Sequence, residues 1–153
     1  MKFGDVVMAV ATATVIMVLI QFLLGWILVP TMGYYWGLNV DAIISVFLAA
    51  LITGYIFAGK IWESRMKAIA KITILAAFVM MFTVMMETAA LGVRWDAWVQ
   101  EAYTGTPPSS AFEWYAVEAT FLGSQIVLNM VIVLVLGFIG LYIGSMFKRP
   151  AKS

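Results

Sequence analysis

Long apolar stretches alternate with short polar segments along the chain, and four stretches are long enough to be membrane spans. A helical span needs roughly 20 mostly apolar residues. Only helices or closed barrels satisfy their backbone groups in lipid, and the alternating pattern of barrel strands is absent here. The pattern predicts an all-α membrane protein, a four-transmembrane-helix bundle with spans at about residues 6–29, 42–59, 70–93 and 119–147.

The first two connections between these spans are short. Residues 30–41 contain Pro30, Gly33 and Gly37, which predicts a loop, with Asn39 as N-cap of the second span. Residues 60–67 predict a tight basic turn, so the second and third helices are expected to be antiparallel neighbours.

The third connection, the outer segment at residues 94–118, is more elaborate. Its first part has aromatic and polar residues at helical spacing, which predicts a short outer amphipathic helix on the membrane surface. Ser110 and Glu113 then have the spacing of a capping box, which predicts the start of the last helix. A helix from there to Phe147 would be about 55 Å long, against a hydrocarbon thickness of about 30 Å. It is therefore expected to project, tilt or bend, with Gly123 as the bend site.

Composition supports a single membrane domain over residues 1–153. The chain is 64% hydrophobic, whereas soluble domains are about 45–50% apolar. It contains no cysteine and no histidine, which excludes disulfides, thiol chemistry and Ser-His catalysis. No nucleophile–base pair, metal-ligand set or phosphate loop is visible, so neither an enzyme nor a cofactor or metal site is expected. The formal net charge of +1 gives no general attraction to nucleic acid.

The basic residues predict the orientation of the chain in the plasma membrane. Lysine and arginine concentrate in the cytoplasmic loops of membrane proteins. Only Arg94 falls in the segments predicted to be outside, and the others fall in the opposite set: Lys2, Lys60, Arg65, Lys67, Lys71, Lys148, Arg149 and Lys152. Both termini are therefore expected in the cytoplasm.

Small residues recur every four positions on two of the predicted spans. Such rows allow close approach of helix backbones in lipid, so we interpret them as helix-packing positions. Whether the partner helix belongs to the same chain or to another copy is left open. The residues are Ala50, Gly54 and Ala58 on the second span, and Gly140 and Gly144 on the fourth.

A candidate polar cluster lies in the outer half of the predicted bundle. Glu87 is the one ionisable residue well inside an apolar stretch, and such residues often mark ion or substrate pathways. Arg94 could pair with it from above. The same polar groups could instead be interhelical hydrogen-bonding residues, worth about 0.6 kcal/mol each. The cluster is completed by Gln21, Glu118, Gln125 and Asn129.

The chain resembles uncharacterised archaeal four-helix integral membrane proteins. The resemblance rests on three segments: GYIFAGK at residues 54–60, KAIAKITILAAFVMM at 67–81 and LGFIGLYIGSMFKRP at 136–150. It covers about half of the chain and implies the four-helix architecture. That group has no known activity, so the resemblance implies no site residue.

Two functions are compatible with this pattern. The first is a structural or accessory role, as a homo-oligomer or as a subunit of a membrane complex, with the lipid bilayer and other membrane subunits as partners. The alternative is a small transporter or channel that uses the outward-facing polar cluster around Glu87. The first predicts an apolar interior, buried polar groups paired one to one and an exposed stripe of small residues. The second predicts a hydrated cavity that reaches Glu87 and continues inward.

Overall fold

The computed structural model describes residues 1–90, 99 and 109–148, with the backbone alone over residues 81–90, and its regular elements are all helical. The predicted all-α class is confirmed for this part of the chain. Most of the predicted outer amphipathic helix lies outside the described residues. The elements are α1 (Phe3–Ile56), α2 (Ala58–Trp62), α3 (Arg65–Ala90), α4 (Ala111–Ile132), a π-helical turn (Val133–Gly137) and α5 (Phe138–Met146).

Helix α1 consists of two arms joined at Gly33, whose φ of 80° and ψ of 173° are non-helical. The arms pack against each other. A Cβ atom added to Gly37 would lie 2.8 Å from the Cα atom of Val29, and Met17 shares a hydrophobic cluster with Val46. The chain therefore reverses direction at Gly33, and the second arm runs back along the first.

The predicted loop at residues 30–41 is wrong, because these residues are helical except at Gly33. Asn39 is not an N-cap, since its Nδ2 atom donates a hydrogen bond within the second arm to the Tyr35 carbonyl oxygen, at 2.7 Å. Next to Pro30, the Thr31 hydroxyl donates to the Ile27 carbonyl oxygen at 2.9 Å, which is a hydrogen bond within the first arm. One glycine with positive φ is enough for the reversal.

The beginning of α4 agrees with the predicted capping box. The Ser110 hydroxyl accepts a hydrogen bond from the Glu113 N–H at 3.2 Å. The Glu113 carboxylate accepts from the Ser109 hydroxyl and N–H, both at 2.8 Å. The Ser109 hydroxyl is the main cause that lowers the pKa of Glu113 below its ordinary value. The helix then continues to Met146, and its irregularity is the π-helical turn rather than a bend at Gly123.

The predicted small residues lie where α5 packs on the second arm of α1. A Cβ atom on Gly54 would lie 2.6 Å from the Leu141 carbonyl oxygen. One on Gly140 would lie 2.8 Å from the Ala50 Cβ, and one on Gly144 would overlap the Leu51 carbonyl oxygen. Ala58 is fully buried at the start of α2. These residues therefore serve contacts within one chain.

The N-terminus, α2 and the end of α5 meet at one end of the bundle, which we call the basic end. The N-terminal amine donates to the Ser64 hydroxyl at 3.4 Å, and Lys60 forms a salt bridge with Asp5. The indole N–H of Trp62 donates to the Ser145 carbonyl oxygen at 2.7 Å. The opposite end, where α1 reverses, is the Gly33 end.

Two helices of the described chain are long and apolar enough to cross a membrane. They are Phe3–Ile56, with a mean hydropathy of 2.5 in its most apolar window, and Ala111–Met146, with 2.7. Only 28% and 33% of these windows are buried within the protein. Large apolar side chains such as Leu19 and Leu23 are exposed along the first arm of α1.

Candidate functional site

Two apolar clusters lie at different heights in the bundle and define the site between them. The middle cluster contains Met17 and Val46 from the two arms of α1, Met80 from α3 and Val133 from the π-helical turn. The Gly33-end cluster is formed around Leu38, with Val29, Tyr34 and Tyr35 from α1 and Phe121 from α4 packed against it.

Five of the buried polar residues between these clusters form a group that we call the polar layer. Gln21 is on the first arm of α1, between Met17 and Val29, which belong to the two clusters. On the second arm, Asp41 and Ser45 lie between Leu38 and Val46. On α4, Gln125 and Asn129 lie between Phe121 and Val133. The flanking residues belong to the same two clusters, so all five polar residues are at a similar height. The exposed fractions are 1% for Gln21, 0% for Asp41 and Ser45, 3% for Gln125 and 4% for Asn129.

Hydrogen bonds satisfy only part of the polar layer. The Ser45 hydroxyl donates to the Asp41 Oδ1 at 2.9 Å, and the Asn129 Nδ2 donates to the Gln125 carbonyl oxygen at 2.8 Å. The side-chain oxygen and nitrogen of Gln21 and the Oε1 atom of Gln125 have no hydrogen-bond partner among the described residues. Burying a polar group without a partner costs roughly 1–3 kcal/mol. Unsatisfied amides at this depth therefore indicate a place where a polar ligand would be stabilised.

Asp41 is the residue that the sequence analysis missed. Asp41 is the last residue of the predicted loop 30–41, but the second arm of α1 begins earlier and Asp41 is completely buried. A useful signal was the spacing of Asp41 and Ser45, since residues four apart face the same side of a helix and can hydrogen-bond. A carboxylate in this position is costly unless a cation, a proton or hydrogen bonds compensate it.

Three residues of the predicted polar cluster are buried between the two apolar clusters. Gln21, Gln125 and Asn129 share the polar layer. Glu118 is half-buried and lies about two helical turns from Gln125 toward the Gly33 end. Glu87 lies on α3, about two turns beyond Met80 in the same direction, and its side chain is outside the described part.

Arg94 also lies outside the described residues, so its predicted pairing with Glu87 stays a prediction. Within the described ranges, no group of three or more His, Cys, Asp or Glu residues could hold a metal ion.

On the side of the polar layer toward the basic end, the described interior of the bundle is mostly apolar, and its buried polar residues carry only hydroxyl groups: Thr53, Thr73 and Ser145. A cavity of ≈ 40 Å³ lies there among residues of the middle cluster, and Thr14 and Thr73 are the polar ones among the described residues that line it. The Thr73 hydroxyl donates to the Ile69 carbonyl oxygen at 3.0 Å. A cavity of this size could hold a few water molecules, but apolar cavities stay dry. Among the described residues, the polar layer therefore has no buried amide or carboxylate that continues it toward the basic end.

Comparison of the chain with protein-family models, with curated protein sequences and with solved structures finds no match.

Proposed function

We propose that the chain is a multi-pass plasma-membrane protein with four spans: the two arms of α1, then α3, and then α4 continued through α5. The reversal at Gly33 supports two crossings by α1. The many exposed apolar side chains along the helices support an apolar solvent around them. The concentration of lysine and arginine at the basic end supports a cytoplasmic location of that end and of both termini.

We further propose that the polar layer binds a small monovalent cation. The observation that carries this proposal is the side chain of Gln21, which is 1% exposed and whose amide oxygen and nitrogen have no hydrogen-bond partner in the described part of the chain. Its oxygen and the Gln125 Oε1 are neutral ligands of the type that hard cations prefer. Asp41 would supply the compensating negative charge. A single carboxylate with neutral oxygens matches one positive charge better than two.

Glu87 belongs to this proposal as a second acidic group on the side of the Gly33 end. The helical rise from Met80 supports a height slightly beyond the polar layer. A cation would then enter from the side of the Gly33 end, on which Glu118 also lies, and would pass the Gly33-end cluster to reach the polar layer. Release toward the basic end would require the middle cluster to separate, so a transporter would need a second conformation.

Thermal unfolding of the purified protein in detergent tests cation binding. We expect the midpoint temperature to rise when choline chloride is replaced by sodium or potassium chloride at constant ionic strength and pH. A ligand at a hundred times its Kd stabilises the folded state by about 2.7 kcal/mol. Asp41→Asn should abolish the salt-specific rise because it removes the charge, and Gln21→Met should weaken it because it removes an oxygen ligand.

Thr53→Val is the matched control for these variants. The Thr53 hydroxyl is also fully buried and without a partner among the described residues, but it lies in the basic-end half of the second arm. It should keep the full response. A wild-type protein indifferent to both cations, or a response that follows pH alone, would contradict the proposal.

The second candidate is the structural or accessory role, as a homo-oligomer or as a subunit of a larger membrane complex. The apolar middle cluster favours it, because it closes the interior to any through path. The small residues of α5 are used within the chain, so another copy would have to bind through a different surface. A wild-type protein without cation response is the result that this role predicts.

A further inference from the structure

An open recess lies on the surface of the bundle near the basic end, outside the polar layer. It has a volume of ≈ 390 Å³, which is within the range of about 300–1,000 Å³ typical of small-molecule sites. The start of α1 forms one wall and α3 forms the other. The lining residues are Phe3, Val6, Lys71, Ile74, Leu75 and Phe78.

The α3 wall of this recess is an amphiphilic stripe. Lys67, Lys71, Ile74 and Phe78 are spaced four, three and four residues apart, so they lie on one face of the helix. All four are exposed, with Ile74 at 54% and Phe78 at 59%. The two cations lie toward the basic end, and the apolar part extends about 10 Å from Lys71 toward the middle of the bundle.

The lysines beside the recess are in a position to bind an anion. Lys60 at the same end is paired with Asp5. Lys67 and Lys71 have no acidic partner among the residues that the structure describes. Lys2 adds a further exposed cation next to Phe3. The recess thus presents positive charge above an apolar channel.

We propose that this recess binds one anionic phospholipid, with its phosphate on Lys71 and Lys67 and an acyl chain against Ile74, Phe78 and Phe3. Basic pockets between membrane helices on the cytoplasmic side bind anionic headgroups in this way. A second copy of the chain is a poorer occupant, because a symmetric contact would bring its own lysines against these. The proposal rests on the proposed membrane location and is independent of cation binding in the polar layer.

Native mass spectrometry tests this site on the full chain extracted from vesicles of phosphatidylcholine and phosphatidylglycerol in equal amounts. We expect one phosphatidylglycerol to be retained in preference to phosphatidylcholine. Lys71→Gln should reduce that preference about fivefold, which corresponds to about 1 kcal/mol per basic residue near an anionic surface. Ile74→Trp should reduce binding of the acyl chain without changing the charge.

Lys148→Gln is the matched control, because it removes one charge at the same end while Lys148 lies over the Tyr55 ring and does not line the recess. It should keep the preference for phosphatidylglycerol. Equal retention of both lipids by the wild type would overturn the proposal. So would equal losses in Lys71→Gln and Lys148→Gln, which would indicate a general surface-charge effect, or the appearance of a dimer in place of bound lipid. Far-UV circular dichroism of each variant verifies that the helices are retained.

Discussion

Gly144→Ala is expected to lower the free energy of unfolding by about 2–3 kcal/mol, near the upper limit for an overpacked interior position. The new methyl group would overlap the Leu51 carbonyl oxygen, and both groups belong to helices whose backbones are already in contact. Neither α5 nor the second arm of α1 can move there without disturbing Gly54 and Gly140. Titration with SDS in mixed micelles, followed by circular dichroism, measures the change.

Gly123→Ala is the control for this variant, because Gly123 lies on α4 with nothing within 4 Å of an added Cβ atom. Glycine in a helix costs roughly 0.5–1 kcal/mol relative to alanine, so this change should be neutral or stabilising. If both substitutions had the same effect, the close approach of α5 and α1 would not be a source of stability.

Gly33→Ala is expected to produce the second large loss, about 1–3 kcal/mol, for a different reason. The φ of 80° and ψ of 173° at Gly33 lie in a region that is essentially restricted to glycine, and another residue there is strained. Relief of that strain would open the angle between the two arms of α1, so the loss should be accompanied by lower protection of the arms against hydrogen exchange.

Gly59→Ala is the comparison for the reversal at Gly33. Gly59 lies in α2 at the other end of the bundle, has ordinary helical surroundings, and has nothing within 4 Å of an added Cβ atom. It should change neither stability nor exchange by much. If Gly33→Ala left both the free energy of unfolding and hydrogen exchange unchanged, the positive φ would not be required for the reversal.

Two features of this fold could be predicted from short stretches of sequence: the all-helical class and the start of α4. The apolar composition predicted the all-helical class, and the spacing of Ser110 and Glu113 predicted where α4 begins. Both depend on residues close in sequence, since a capping box is formed within one helical turn.

The reversal and the polar layer could not be predicted in the same way. Pro30, Gly33 and Gly37 all resemble loop residues, yet only Gly33 leaves the helix, and Gly37 is needed for its contact with Val29. A charge is costly in lipid, which favours a position for Asp41 outside the second span. Its burial depends on the packing of the other helices, which no local pattern encodes.

Cysteine accessibility in intact cells tests the four-span arrangement most directly, because the chain has no cysteine of its own. Single cysteines would replace Met32 beside the reversal, Ser109 before α4, Gly59 in α2 and Phe147 after α5, which are all exposed positions. A membrane-impermeant maleimide should label Met32→Cys and Ser109→Cys in intact cells, and Gly59→Cys and Phe147→Cys only after permeabilisation. Labelling of Met32→Cys and Gly59→Cys from the same side of the membrane would contradict the arrangement.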